Sequence, residues 1–173
     1  QLRLVDRLVE EVVERLPAPF GLVRYGVAPD HLSIRSVRGT LEKVLRHPGV
    51  RFLGGIDVGS DVTVAELREY YDAIIFTYGA SSDRRLGISG EHLPGSIAAT
   101  ELVAWYCGHP DASLERIESA MRGVRSAVII GVGNVAVDVA RVLAKTGDEL
   151  VRTDMPQHGL AELAGSSVTD IHI

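Results

Sequence analysis

Gly131, Gly133 and Ala136 stand in the order G-x-G-x-x-A within Ala127-Val128-Ile129-Ile130-Gly131-Val132-Gly133-Asn134-Val135-Ala136. An apolar, β-prone run precedes the pattern and a helical one follows it. Gly131 suits a tight turn, Gly133 the close approach of backbone to a pyrophosphate, and Ala136 the close packing of helix on strand. The helix start adds free N–H groups and a partial positive charge for phosphate oxygens. A bare G-x-G-x-x-[GA] pattern is weak, but the strand–turn–helix setting is the one dinucleotide binding requires. A tight strand-to-helix turn without a ligand is the competing reading. The residues that separate NAD from NADP, at the end of the second strand of such a unit, would follow Ile173.

Other chemistry is thinly represented. No Ser/His/Asp or Cys/His nucleophilic set and no metal-ligand spacing is visible, and the single cysteine, Cys107, excludes an internal disulfide or a multi-cysteine metal site. The formal net charge of −5 argues against a nucleic-acid partner. No apolar run is long enough to span a bilayer. A cytoplasmic, reducing compartment is the default expectation.

The elements that must position the glycine turn alternate between strand and helix. Residues 125–130 read as a strand, and residues 134–145 as a helix apolar at Val135, Val139 and Val142. Residues 168–173 read as the next strand. Upstream, residues 2–16 carry apolar positions at helical spacing, until Pro17 and Pro19 stop any helix. Leu22 to Tyr25 are apolar and β-prone. Asp30 or Ser33 could cap a helix to about Leu45, and residues 50–56 read as a strand. Thr63-Val64-Ala65-Glu66 is a capping-box pattern that starts a short helix. Residues 72–80 form an apolar run that reads as a buried strand, and 81–95 a polar loop and domain junction. Residues 97–106 read as a helix and 112–118 as a linker or short helix. Such alternation predicts α/β architecture with parallel sheets. The chain opens on Gln1 and closes on a β-prone stretch, so it reads as an internal piece of a longer polypeptide.

A distinctive run, Glu14-Arg15-Leu16-Pro17-Ala18-Pro19-Phe20-Gly21-Leu22-Val23-Arg24-Tyr25-Gly26-Val27-Ala28-Pro29-Asp30-His31, resembles the adrenodoxin reductase type of ferredoxin–NADP+ reductase. Further matches follow in that family's order: Asp61-Val62-Thr63, Tyr71-Asp72-Ala73-Ile74-Ile75, Tyr78-Gly79-Ala80, Gly90-Glu91-His92-Leu93-Pro94-Gly95 and Trp105-Tyr106. Gly133-Asn134-Val135-Ala136-Val137-Asp138-Val139-Ala140-Arg141 and Arg152-Thr153-Asp154 complete the set.

The resemblance implies parts of two Rossmann-like dinucleotide-binding domains, incomplete at both ends. Residues 1–83 would belong to an FAD-binding domain lacking its N-terminal fingerprint, and 84–173 would open an inserted NADP-binding domain. It implies a strand around Val12 to Glu14, against the helical periodicity, and a helix around Pro156 and Gly159, against their breaking tendency.

By the same resemblance Glu14 would accept hydrogen bonds from the adenosine ribose of FAD, Leu22 would lie along the flavin, and Val58 would meet the adenine end. Arg84 would contact NADP(H), and Gly131, Val132, Gly133, Asn134 and Val135 would wrap its pyrophosphate. His31 would stand near nicotinamide and flavin, where it could tune hydride transfer or orient the ring. The implied activity of the complete protein is FAD-mediated electron transfer between NADPH and an iron–sulfur ferredoxin. A glutamate synthase small-subunit-like flavoprotein and a truncated, non-catalytic nucleotide-binding module are the alternatives.

Overall fold

The computed structural model describes residues 9–80 and 82–173. They divide into two compact units. One falls within Gln1–Gly21 and Ser36–Ser81, the other comprises Leu22–Arg35 and Ser82–Ile173. The chain therefore passes from one unit to the other at 21/22, 35/36 and 81/82.

In the first unit, β1 (Glu10–Glu14) pairs in parallel with a later strand, Val50–Gly54, in the register Glu10↔Val50 to Glu14↔Gly54. The strand that the resemblance implies around Val12 to Glu14 is thus formed, at 10–14, against the helical periodicity of residues 2–16, and residues 2–8 lie outside the described residues. Ladder pairing prevails over local periodicity because cross-strand partners stabilise what propensity disfavours. Arg51 pairs with the carboxylate of Glu11 directly opposite, and the Tyr71 hydroxyl donates to the same carboxylate.

Pro17 and Pro19 follow β1. The residues Leu22 to Tyr25, expected to be β-like, form one helical turn, α1 (Gly21–Tyr25). The single helix expected from about Asp30 to Leu45 is two, α2 (Leu32–Arg35) and α3 (Arg38–Leu45). The strand paired with β1 is β2 (Val50–Gly54). After it comes α4 (Val64–Tyr70), with the Thr63/Glu66 capping box closed in both directions.

The apolar run at 72–80 is not a strand: it joins no ladder among the described residues, and Ile75 and Tyr78 are more than four-fifths exposed. An apolar β-prone sequence becomes a strand only where a neighbour completes its hydrogen bonds, and none of the described residues does so.

The second unit contains α5 (Ala99–Cys107), α6 (Leu114–Met121), β3 (Ser126–Val128), α7 (Asn134–Ala144), α8 (Gly147–Leu150), α9 (Gln157–Ala164) and β4 (Asp170–His172). β3 and β4 are parallel, Ser126↔Asp170 to Val128↔His172, connected through α7, α8 and α9. This is the strand–helix–strand crossover that the alternating sequence pattern predicts.

Pro156 does not break α9. It occupies the position just before the helix, where its missing N–H costs nothing. Gly159 lies within α9 and is buried, close against the Met155 side chain. The core of this unit gathers Trp105, Tyr106, Ile117, Val139, Val142, Leu150, Met155 and Leu163 around α5. The buried stripe of α7 is Ala136, Val139 and Val142; Val135, expected on that face, is half exposed.

Candidate functional site

The glycine turn is built as its sequence suggests. β3 ends at Val128, the chain turns through residues 129–133, and α7 begins at Asn134 with Gly133 as its cap. Gly131 has φ +139°, a conformation closed to ordinary side chains, so glycine is required there by the turn itself. Gly133 differs. Its φ of −81° and ψ of 175° are open to any residue, and a Cβ placed on it would meet no atom within 4 Å.

No side chain caps α7, and its first intrahelical bond runs from the Val137 N–H to the Gly133 carbonyl at 3.2 Å. The N–H groups of the opening turn have no acceptor within the helix, by the geometry of any α-helix. Ala136, underneath, is buried, while Val132 is nine-tenths exposed and Asn134 exposed.

A second site in the same unit forms around His31, on the loop before α2. Arg35 fastens that loop: its guanidinium donates to the carbonyls of Val27 (2.8 Å) and Arg24 (2.9 Å) and pairs with Asp154 at 3.2 Å. The Asp154 N–H donates to the Pro29 carbonyl (3.1 Å), and the Cys107 thiol to that of Val27 (3.3 Å). Burial pushes this thiol up to about 11, and the Tyr106 phenol is likewise raised by burial. Both are therefore neutral at physiological pH, and Cys107 serves as a buried small side chain.

So fastened, the loop presents His31 to α7. The His31 Nε2 lies 3.1 Å from Oδ1 of Asp138. A carboxylate only accepts, so the Nε2 that faces it carries a proton. Arg141, one turn along α7, touches the same Asp138 oxygen through Nη1 at 2.8 Å. Through Nε and Nη2 it grips Asp30 at 2.6 and 2.9 Å. Lys145 adds a weaker contact to Asp30 at 3.7 Å. Arg141's hydrogen bonds hold the Asp30 carboxyl below its usual range, and the same pairing raises the guanidinium.

Of the other residues singled out in the sequence, Leu22 is 82% exposed on α1 and Arg84 is exposed in the loop after the unit boundary. Glu14 and Val58 belong to the first unit and lie at the same end of its sheet. Glu14 closes β1, its carbonyl accepts from the Ile56 N–H (3.1 Å), and its carboxylate accepts from the Leu16 N–H (3.2 Å). Val58 follows two residues later, bridged to Val62. Glu14 occupies the carboxyl end of a parallel strand pair, where ligands of α/β sheets bind, and Val58 lies in the segment that follows the partner strand.

Sequence reasoning gave no role to Asp138, Arg141, Arg35 or Asp154, and read Asp30 only as a candidate helix cap. The i, i+3 spacing of Asp138 and Arg141 was the available signal; their partners are 107 and 111 residues away. Among the described residues no group of three or more His, Cys, Asp or Glu could hold a metal, and no helix is long and apolar enough to cross a membrane.

The chain matches no family model. It is 45% identical over 172 residues to the mitochondrial NADPH:adrenodoxin oxidoreductase of Drosophila melanogaster, covering 99% of this chain and 36% of that protein. It is 48% identical over 163 residues to the NADPH-ferredoxin reductase FprA of Mycobacterium tuberculosis, covering 94% of this chain and 35% of that one. The solved structure of that FprA in complex with NADPH superposes with a TM-score of 0.87 at 47% identity, over 94% of this chain and 35% of its own. The chain thus spans about a third of the length of these relatives. The resemblance read from its motifs is borne out, and the fold is of the dinucleotide-binding α/β type found in FprA.

Proposed function

We propose that this chain supplies part of an FAD-binding unit, within residues 1–83, and the opening part of an NADP(H)-binding unit, within 84–173, of a flavoprotein reductase. The complete protein would carry electrons from NADPH to an iron–sulfur ferredoxin. The relatives named for NADPH and for adrenodoxin or ferredoxin support this reading. One of the three crossings between the units, at 81/82, lies next to that boundary, while residues 22–35 group with the second unit. A cytoplasmic setting belongs to the same reading, with the mitochondrial relatives marking the alternative; cell fractionation distinguishes them.

The observation that carries the proposal is Gly133. Neither its backbone conformation nor any neighbouring protein atom calls for glycine, and the space over the start of α7 is open to a group that is not part of this chain. A pyrophosphate fits that space: it needs close backbone approach, free N–H groups and the positive end of a helix. Gly131, Val132, Gly133, Asn134 and Val135 would line it, and Arg84 would offer a cation to the nucleotide. Glu14, at its strand end, would accept from the ribose hydroxyls of FAD, with Leu22 along the flavin and Val58 toward the adenine.

Bound NADPH and flavin would supply the hydride and single-electron chemistry. This chain's own residues bind and orient. The helix start would hold the phosphates, and Asp138 holds His31 through its Nε2 proton.

The test is Gly133→Val in the complete parent protein, followed by NADPH titration and flavin absorbance. Blocking backbone approach should weaken NADPH binding about 100-fold, the loss of one or two charge-assisted hydrogen bonds, with flavin still bound. Unchanged NADPH affinity would remove this turn from the binding site.

A further inference from the structure

We propose that Arg141 is a positioning residue for His31, the guanidinium that clamps both the residue preceding the histidine and the carboxylate its ring is bonded to. The proposal rests on the reading of His31 as a residue at the reacting rings. Its geometry comes from three contacts on one planar group. Nε and Nη2 grip Asp30 side-on, and Nη1 reaches the Asp138 oxygen that also faces His31 Nε2.

Asp30 fixes the backbone entering His31, and Asp138 fixes the far edge of the ring. A single rigid fork therefore sets both ends of the histidine at once. Arginine alone among the side chains can do this, because its donors diverge in fixed directions within one plane.

The charges agree with that role. Asp30 and Asp138 are two carboxylates brought to one guanidinium, and Lys145 assists only Asp30. Without Arg141 the Asp138 oxygen would keep His31 as its one partner in this network. The ring would then be free to turn about its χ angles with the carboxylate following it. Asp30 would rely on a 3.7 Å contact to Lys145, and the loop entering His31 would lose its bidentate anchor. Neither Asp30 nor Arg141 needs to touch a substrate for this to matter. A displacement on the order of 1 Å at a reacting group costs up to about 100-fold in rate.

The experiment measures the rate of flavin reduction by saturating NADPH, by stopped flow, in the complete parent protein. Arg141→Met is compared in the wild-type background and in a His31→Gln background, with melting temperature recorded for each. A residue acting through His31 has little left to lose once His31 is gone, so the two substitutions should be strongly non-additive. Arg141→Met should slow reduction about 10- to 100-fold in the first background and less than about threefold in the second. Arg141→Lys should preserve the charge and much of the thermal stability without restoring the rate, because an ammonium cannot span both carboxylates in one plane.

Equal losses in both backgrounds would show that Arg141 only holds the fold, and no loss in either would equally overturn the proposal. Full rescue by Arg141→Lys would overturn the part assigned to the fork. If His31→Gln by itself leaves the rate unchanged, the reading of His31 fails and the positioning role falls with it, a result distinct from equal losses. Should Arg141→Met not fold, Asp30→Asn opens one arm of the clamp and is read in the same two backgrounds, with the same outcomes deciding.

Discussion

The two units are held together by different means. In the second, a cluster of fully buried side chains, with Trp105 and Tyr106 at its centre, joins α5 to α6, α7 and α9. In the first, Leu16 is the one buried large hydrophobic among the described residues, and the two-stranded sheet is secured by polar contacts, Arg51 and Tyr71 on Glu11. Val12, in the middle of β1, is 42% exposed.

Two strands alone are marginal in water. The second unit has an apolar helical layer that can hold a loop and its histidine in fixed geometry. The first has strand ends at which Glu14 and Val58 stand, with little apolar packing behind them. The difference assigns geometric precision to one unit and leaves the other dependent on whatever covers its sheet.

Removing the core should produce the largest contrast. Trp105→Ala should cost about 4 kcal/mol, as emptying an aromatic core site usually does, whereas Val12→Ala should cost less than about 1 kcal/mol. Chemical denaturation of the two variants in the parent protein measures both, and equal costs would erase the distinction between the units.

Asp30→Asn sharpens the comparison by testing the polar side of the second unit. Its loss of the Arg141 pair should cost about 2 kcal/mol at pH 7. Because Arg141's hydrogen bonds lower the Asp30 carboxyl in the folded state, this stabilisation is complete above its unfolded value of about 4 and disappears as pH falls through the folded value. The stability gap between wild type and Asp30→Asn should therefore close in acid; a gap that stays constant from pH 7 to pH 3 contradicts the assignment.

A smaller effect, on binding rather than stability, belongs to the first unit. Glu14→Gln should loosen FAD by about 1 to 2 kcal/mol, the difference between a charged and a neutral acceptor for the ribose, with NADPH binding intact. Flavin release followed by equilibrium dialysis checks it.

How much of this was legible in the sequence follows the range of the interactions involved. Thr63 and Glu66 are three residues apart, and their reciprocal cap could be read directly. The glycine turn at 131 was equally local. β1 was not, because residues 2–16 repeat apolar positions at helical spacing, and the ladder to Val50–Gly54 that overrides this comes from forty residues away.

The run at 72–80 misled in the opposite sense: its composition suits a buried strand, yet burial depends on a partner that composition does not supply. Pro156 looked like an interruption and stands just before the helix, where a proline breaks no intrahelical bond. The network at His31 was the least legible part. Asp30, Asp138 and Arg141 are ordinary surface-type residues until the fold brings a loop to a helix more than a hundred positions further on. Only the resemblance marked His31, and the one local mark on the arginine that clamps it was its i, i+3 spacing from Asp138.

The central claim is that this chain is part of a flavoprotein that NADPH reduces. The most direct measurement is an absorbance spectrum of the purified complete parent protein, before and after anaerobic addition of NADPH. Oxidised flavin bands that bleach on addition are the expected result. A colourless protein that takes up no FAD on reconstitution would contradict the claim.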